Sequence, residues 1–243
     1  MRKRILFITM LLVAASATAG WAGAKLVVSE NNWDFGDVPN VGTVSHSFKL
    51  TNAGDEVLKI SSVQASCGCT STKLENKDLN AGETTTVTVT FNNSSFPAGG
   101  RFTKNVSINT ETGPTPVTNL SISATVNPGD YGYVTVFPKV LVVMENEKAK
   151  GSWKTLRIEN KTALTQRIRV IEKAGIVKKT KLTKGRVAPG TGTAFQVRLD
   201  PVNKEFPPSS VTLSILSKEG ERRISLPVVP PEGAKPQERM ELN

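Results

Sequence analysis

Histidine appears once and cysteine twice in this chain of 243 residues. With only His46 available, a Ser-His-Asp arrangement has a single place to be built, and no Gly-x-Ser-x-Gly elbow accompanies it. There is no His-Glu-x-x-His pair and no phosphate-cradling glycine loop ahead of a helix. These absences exclude the common hydrolase, zinc-protease and nucleotide-binding designs, and the expectation is that the chain is not an enzyme. Also missing is any long, capped run of apolar residues at helical spacing, which leaves strands to build a core. Beyond residue 24, no stretch is apolar and long enough to cross a bilayer.

What the N-terminus does have is the order of a secretory signal. Met1-Arg2-Lys3-Arg4 is followed by an apolar run from Ile5 to Val13 and a small-residue stretch to Ala24, and no charge returns before Lys25. Ala17-Thr18-Ala19 and Ala22-Gly23-Ala24 both have the small-x-small form of a cleavage site, and the second is favoured because Lys25 then opens the mature chain. The rival is an uncleaved anchor, whose second half of Ala, Ser, Thr and Gly would make a weak span. The chain is therefore expected to be exported to the periplasm or beyond, with residues 1–24 as signal and no membrane segment left after cleavage.

Alternation with period two dominates the remainder. His46, Phe48 and Leu50 share one face, as do Val87, Val89 and Phe91, and Leu120, Ile122 and Ala124. Turn clusters such as Asn52-Ala53-Gly54-Asp55 and Asn80-Ala81-Gly82 separate these runs. Many short strands with frequent turns predict an all-β sandwich. The second half also repeats the first, 108 residues on: Phe48-Lys49-Leu50-Thr51-Asn52 falls on Leu156-Arg157-Ile158-Glu159-Asn160, and Val87, Val89 and Phe91 fall on Phe195, Val197 and Leu199. A slip of one residue would reverse every face, so the sustained match is informative. Near the end the offset drifts, with Ile122 and Ala124 assigned to Leu226 and Val228. The expectation is two tandem immunoglobulin-like sandwiches, residues 25–126 and 127–228, joined near Asn127-Pro128-Gly129-Asp130, with a mobile tail over 229–243.

Charge is split between the copies. Lys25 to Val126 holds 7 Lys and Arg against 9 Asp and Glu, whereas Asn127 to Val228 holds 19 against 9. Lys178, Lys179, Lys181, Lys184 and Arg186 lie close in sequence, and Arg167 and Arg169 share a face of the preceding strand. Such a basic face suits another envelope protein or an anionic envelope polymer or lipid surface, unless it is simply a solvated face. Nucleic acid is not expected, because the compartment is wrong and aromatic interleaving is absent.

The repeat also isolates the two thiols. Cys67 and Cys69 fall opposite Gly175 and Val177, so the architecture does not require them. Three readings stand: a local disulfide clip, a redox-active pair, or a soft-metal site for copper or zinc. His46 is the one imidazole that could join such a site, but its place beside Phe48 and Leu50 suits a part-buried, hydrogen-bonded ring. Four side-chain ligands for structural zinc are not on offer, and no cofactor is expected beyond the copper alternative.

The first copy carries Phe35-Gly36-Asp37-Val38, Val44-Ser45-His46-Ser47-Phe48, Thr51-Asn52-Ala53-Gly54, Ala65-Ser66-Cys67-Gly68-Cys69-Thr70, Ala81-Gly82-Glu83 and Val87-Thr88-Val89-Thr90-Phe91 in that order. Through these runs it resembles a widespread bacterial secreted family, domain of unknown function 1573. The Ser-Cys-Gly-Cys-Thr run is the specific part. It implies an extracytoplasmic sandwich similar to the Hydin-type and major-sperm-protein-like folds, which act as interaction modules, and no assigned activity. The second copy lacks the Cys-Gly-Cys run. The functional expectation is a binding or scaffold protein of the cell envelope, with a thiol-redox or copper-handling role and a plain structural spacer as alternatives.

Overall fold

The computed structural model describes residues 23–127, 131–143, 151–201 and 206–229. The signal segment up to residue 22, Pro128–Asp130 of the junction between copies, and the tail from residue 230 lie outside the described residues.

The alternating runs become strands. The first copy consists of β1 (Leu26–Val28), β2 (Asn32–Val38), β3 (Thr43–Asn52), β4 (Leu58–Ala65), β5 (Thr70–Leu74), β6 (Asp78–Leu79), β7 (Thr84–Asn92), β8 (Arg101–Thr110) and β9 (Val117–Val126). The second has β10 (Val134–Phe137), β11 (Leu141–Val142), β12 (Ser152–Asn160), β13 (Gln166–Ala174), β14 (Val177–Leu182), β15 (Arg186–Val187), β16 (Gly192–Leu199), β17 (Ser209–Ser217) and β18 (Gly220–Val229). In each copy a four-stranded sheet, β1-β3-β7-β5 or β10-β12-β16-β14, packs over a second sheet. The copies match strand for strand, down to the parallel pairs β2–β9 and β11–β18.

Each sandwich has its own core. Phe35, Phe48, Leu50, Val87, Val89, Phe91 and Ile108 are buried in the first, and Leu141, Leu156, Ile158, Phe195, Val197 and Leu213 in the second. The register confirms the offset of the central strands, since Phe48 opposes Val87 and Leu156 opposes Phe195. At the end of the chain it corrects the expectation. Val106 opposes Leu120 and its counterpart Val211 opposes Leu226; Trp33 opposes Ile122 and its counterpart Leu141 opposes Val228. Leu120 and Ile122, not Ile122 and Ala124, are thus the counterparts of Leu226 and Val228. A slip of two keeps every face, which is why alternation alone does not detect it.

One polar residue recurs inside both cores. Asn52 donates its side-chain amide to the carbonyls of Glu56 (2.7 Å) and Leu79 (2.9 Å) and accepts from the Gly54 amide (3.0 Å). Asn160 donates to Leu164 (2.8 Å) and Val187 (3.0 Å) and accepts from the Thr162 amide (2.9 Å). Every partner is shifted by the same 108 residues. The two residues pin the end of the central strand to the turn that follows and to the short strand β6 or β15.

The larger sheets fuse into one. β18 pairs in parallel with β2 at Ile224 and Asp37, so the order runs β15-β13-β17-β18-β2-β9-β8-β4-β6 across both copies. Gly36 permits this approach. Its φ is +70°, and a Cβ there would stand 2.0 Å from the carbonyl oxygen of Arg223.

Candidate functional site

The contact between sandwiches is built from β2, β3, β13, β17 and β18. Ser225 Oγ donates to the Phe35 carbonyl at 2.8 Å, the Arg223 guanidinium to the Asp34 carbonyl at 3.3 Å, and the Ser45 amide to Ser210 Oγ at 3.1 Å. His46 lies within it, buried to 4% exposure. Its ring stacks on Trp33 at 3.8 Å and meets Phe48 edge-on, and the Arg223 guanidinium lies over the Trp33 ring at 4.8 Å. Nδ1 is 3.0 Å from Glu172 of the second sandwich, and Nε2 is 3.2 Å from Glu30 of the first. Neither contact aligns as a hydrogen bond. The single histidine is thereby held between carboxylates of the two copies. It is not gathered with the cysteines, and no group of three His, Cys, Asp or Glu side chains suited to a metal occurs among the described residues.

Beside this junction a polar cleft of about 460 Å³ opens, lined by Asp34, Asp37, Arg101, Arg222 and Arg223 among others. Arg101 pairs with Asp34 at 3.0 Å on its rim. Tyr133 donates its hydroxyl to Asp37 at 2.8 Å, and Arg222 lies over the Tyr133 ring at 4.6 Å. Burial pushes the Asp37 carboxyl above its usual range, although the bonds from Tyr133 and Asn127 and the charge of Arg222 pull the other way. Burial and the Asp37 charge push the Tyr133 hydroxyl up as well, so it remains a donor.

Cys67 and Cys69 sit at the corner where the chain crosses from β4 in one sheet to β5 in the other. Their Cα atoms are 5.3 Å apart and the sulfurs lie at bonding distance, with Thr70 Oγ1 3.7 and 3.8 Å from the two sulfurs. The second copy turns the same corner with Gly175-Ile176. Gly175 has φ +64°, and a Cβ there would meet Ser209 Oγ at 2.0 Å. The corner can be made without thiols.

The seven cations singled out in the sequence do not form one patch. Lys178, Lys179 and Lys181 lie on β14, an edge strand of the small sheet. Arg167 and Arg169 lie on β13 and Arg186 on β15, in the other sheet, with Arg167 directly opposite Arg186. Lys184 lies on the connection between them. The chain crosses between sheets after Ala174, so residues close in sequence end on separate faces. Of the seven, only Lys178 has a carboxylate partner among the described residues, Asp200 at 3.5 Å.

The small sheet supplies what the sequence reading missed. Trp153 on β12 opposes Arg198 on β16, which opposes Lys179 on β14; one row on, Thr155, Gln196 and Lys181 align. Trp153 is 50% exposed, and Phe137, opposite Arg157, is 73% exposed. Aromatic rings therefore do interleave with the basic residues, across strands and not along the chain. The signal was present, because the inward positions Leu156 and Ile158 put Trp153 on the outer face.

No curated protein matches the chain. Among solved structures, a protein of unknown function from Porphyromonas gingivalis W83 is similar over 84% of this chain and 98% of that one, at 14% identity and a TM-score of 0.33. The E. coli chaperone DraB is similar over 84% and 97%, at 11% identity and a TM-score of 0.33. A PapD-like domain of human CEP192 is similar over 52% and 97%, at 10% identity and a TM-score of 0.36. Residues 26–126 match the family model described as protein of unknown function, DUF1573. The first sandwich, with its Phe-Gly-Asp strand and its Ser-Cys-Gly-Cys-Thr corner, is thus the part of the chain that the DUF1573 family model matches.

Proposed function

We propose that the chain is an exported cell-envelope binding or scaffold protein that docks electrostatically through its second sandwich. The observation that carries this reading is the pair Lys179 and Lys181, which occupy successive rows of the edge strand β14 and have no carboxylate partner among the described residues. A cation left without an internal partner keeps its field for an external one. The sequence order of a secretory signal supports export, and no helix of the described residues is long and apolar enough to cross a membrane. The test is binding of the purified chain to vesicles containing phosphatidylglycerol and to isolated cell envelope. Retention should fall with added salt and with Lys179→Glu plus Lys181→Glu, because charge attraction between exposed groups is screened over roughly 10 Å at 0.1 M salt. Retention unaffected by both changes would sink the reading.

A second reading is favoured by the cysteine corner, since the other copy makes that turn without thiols. In a thiol-exchange role, the Cys67–Cys69 bond would accept two electrons and two protons from a partner dithiol. Two thiols would be left here and a disulfide there. The reduced pair is also the soft ligand set that would suit Cu(I). Thiol trapping of protein taken from the periplasm, with Cys67→Ser plus Cys69→Ser as control, checks this; a pair that never exchanges with dithiols and takes up no copper is a structural clip.

A further inference from the structure

The repeat allows the outer face of one small sheet to be compared with the other, position by position. In the first sandwich the row Ser71–Thr90–Ser45 crosses β5, β7 and β3. Ser45 and Thr90 are buried with their hydroxyls 2.8 Å apart, and the Ser45 amide bonds to Ser210 of the second sandwich. This end of the sheet is where the neighbouring sandwich sits. The same row of the second sandwich is Lys179–Arg198–Trp153, and there the tryptophan stands half exposed.

A tryptophan on the outer face adds nothing to the core beneath it, whereas Trp and Arg are the side chains that most often anchor protein interfaces. We infer that the Lys179–Arg198–Trp153 row is a docking seat for a partner protein with an acidic surface, at the position where the first sandwich holds the second. The inference rests on the binding reading above and names the partner class. Charge decides the occupant. A second copy docking in the same manner would present β8 and β9, the counterparts of β17 and β18. Those strands carry Lys104 and Arg101, the latter already paired with Asp34, and no carboxylate of their own, so the seat would meet no opposite charge there. A bilayer fits less well, because Trp153 stands in a sheet row beside Arg198 and not at a loop tip.

The experiment places a photo-crosslinking side chain at Thr155, one row from the tryptophan, in the full chain expressed in the producing bacterium. Adducts are identified by mass spectrometry, and any captured protein is purified and titrated against the wild-type chain. The expected result is a discrete protein adduct at a carboxylate-rich surface. Its affinity should fall by about tenfold or more with Trp153→Ser, a typical loss for truncating an anchor residue, and should weaken with salt. Serine is the residue that the first sandwich carries at this position, and an unchanged thermal melt excludes loss of fold. An adduct with the chain itself, an adduct with lipid or glycan, or no adduct overturns the inference, as does affinity indifferent to Trp153→Ser. If Lys179→Glu plus Lys181→Glu abolishes envelope retention while Trp153→Ser changes nothing, the seat fails and the electrostatic reading stands.

Discussion

Asn52 and Asn160 each spend both amide protons on carbonyls inside a sandwich. Removing such a side chain takes a donor from two carbonyls, at roughly 1–3 kcal/mol for each group left unsatisfied. Asn52→Ala and Asn160→Ala should therefore destabilise the protein to a similar extent, by about 2–4 kcal/mol, read from denaturant unfolding. A loss confined to one of them would show that the equivalence is geometric only. Asp37 gives a pH test with a definite sign. Because burial raises its folded-state pKa above the usual value, its contribution is most favourable when protonated and is lost as pH rises through the raised value. Asp37→Asn should flatten that part of the melting-temperature profile on the acid side of neutrality, while Tyr133 keeps an acceptor. A profile unchanged by the substitution would mean that Asp37 does not titrate differently on folding. The sequence revealed that Asn52 and Asn160 correspond, but not what they do, since one partner of each lies 27 residues away.

Among the elements, β2 decides how the copies meet. It pairs with β9 in its own sandwich and with β18 in the other, and the change of register between Asp34 and Asp37 is where β18 enters. Gly36→Ala puts a methyl group into the Arg223 carbonyl and a side chain at positive φ. The combined cost is about 2–4 kcal/mol. The expected result is loss of contact between sandwiches with each core intact. Calorimetry should show one transition in the wild-type protein and two in the variant. A single, unshifted transition would remove the glycine from this role. Alternation made the strands and the tandem sandwiches legible, because face and period are local properties. The separation of Arg167 and Arg169 from Lys179 and Lys181 was not legible, since it depends on which sheet a strand joins. The row that sets Trp153 beside Arg198 was hidden for the same reason, as cross-strand neighbours are distant in sequence.

At the scale of the whole molecule, the fused sheet makes two tandem copies into one body, with an acidic-leaning half and a basic half fixed in orientation. That arrangement differs from two modules on a flexible tether, where each would search for its partner separately. It also has a mechanical consequence. β2 and β18 run parallel, so tension applied at residue 25 draws β2 by its start while tension at residue 229 draws β18 by its end. Once β1 has peeled away, the load falls on the junction in shear, where neighbouring bonds must stretch together, and not as a zipper that opens one bond at a time. Stretched between two attachments, the pair of sandwiches should behave as a stiff strut.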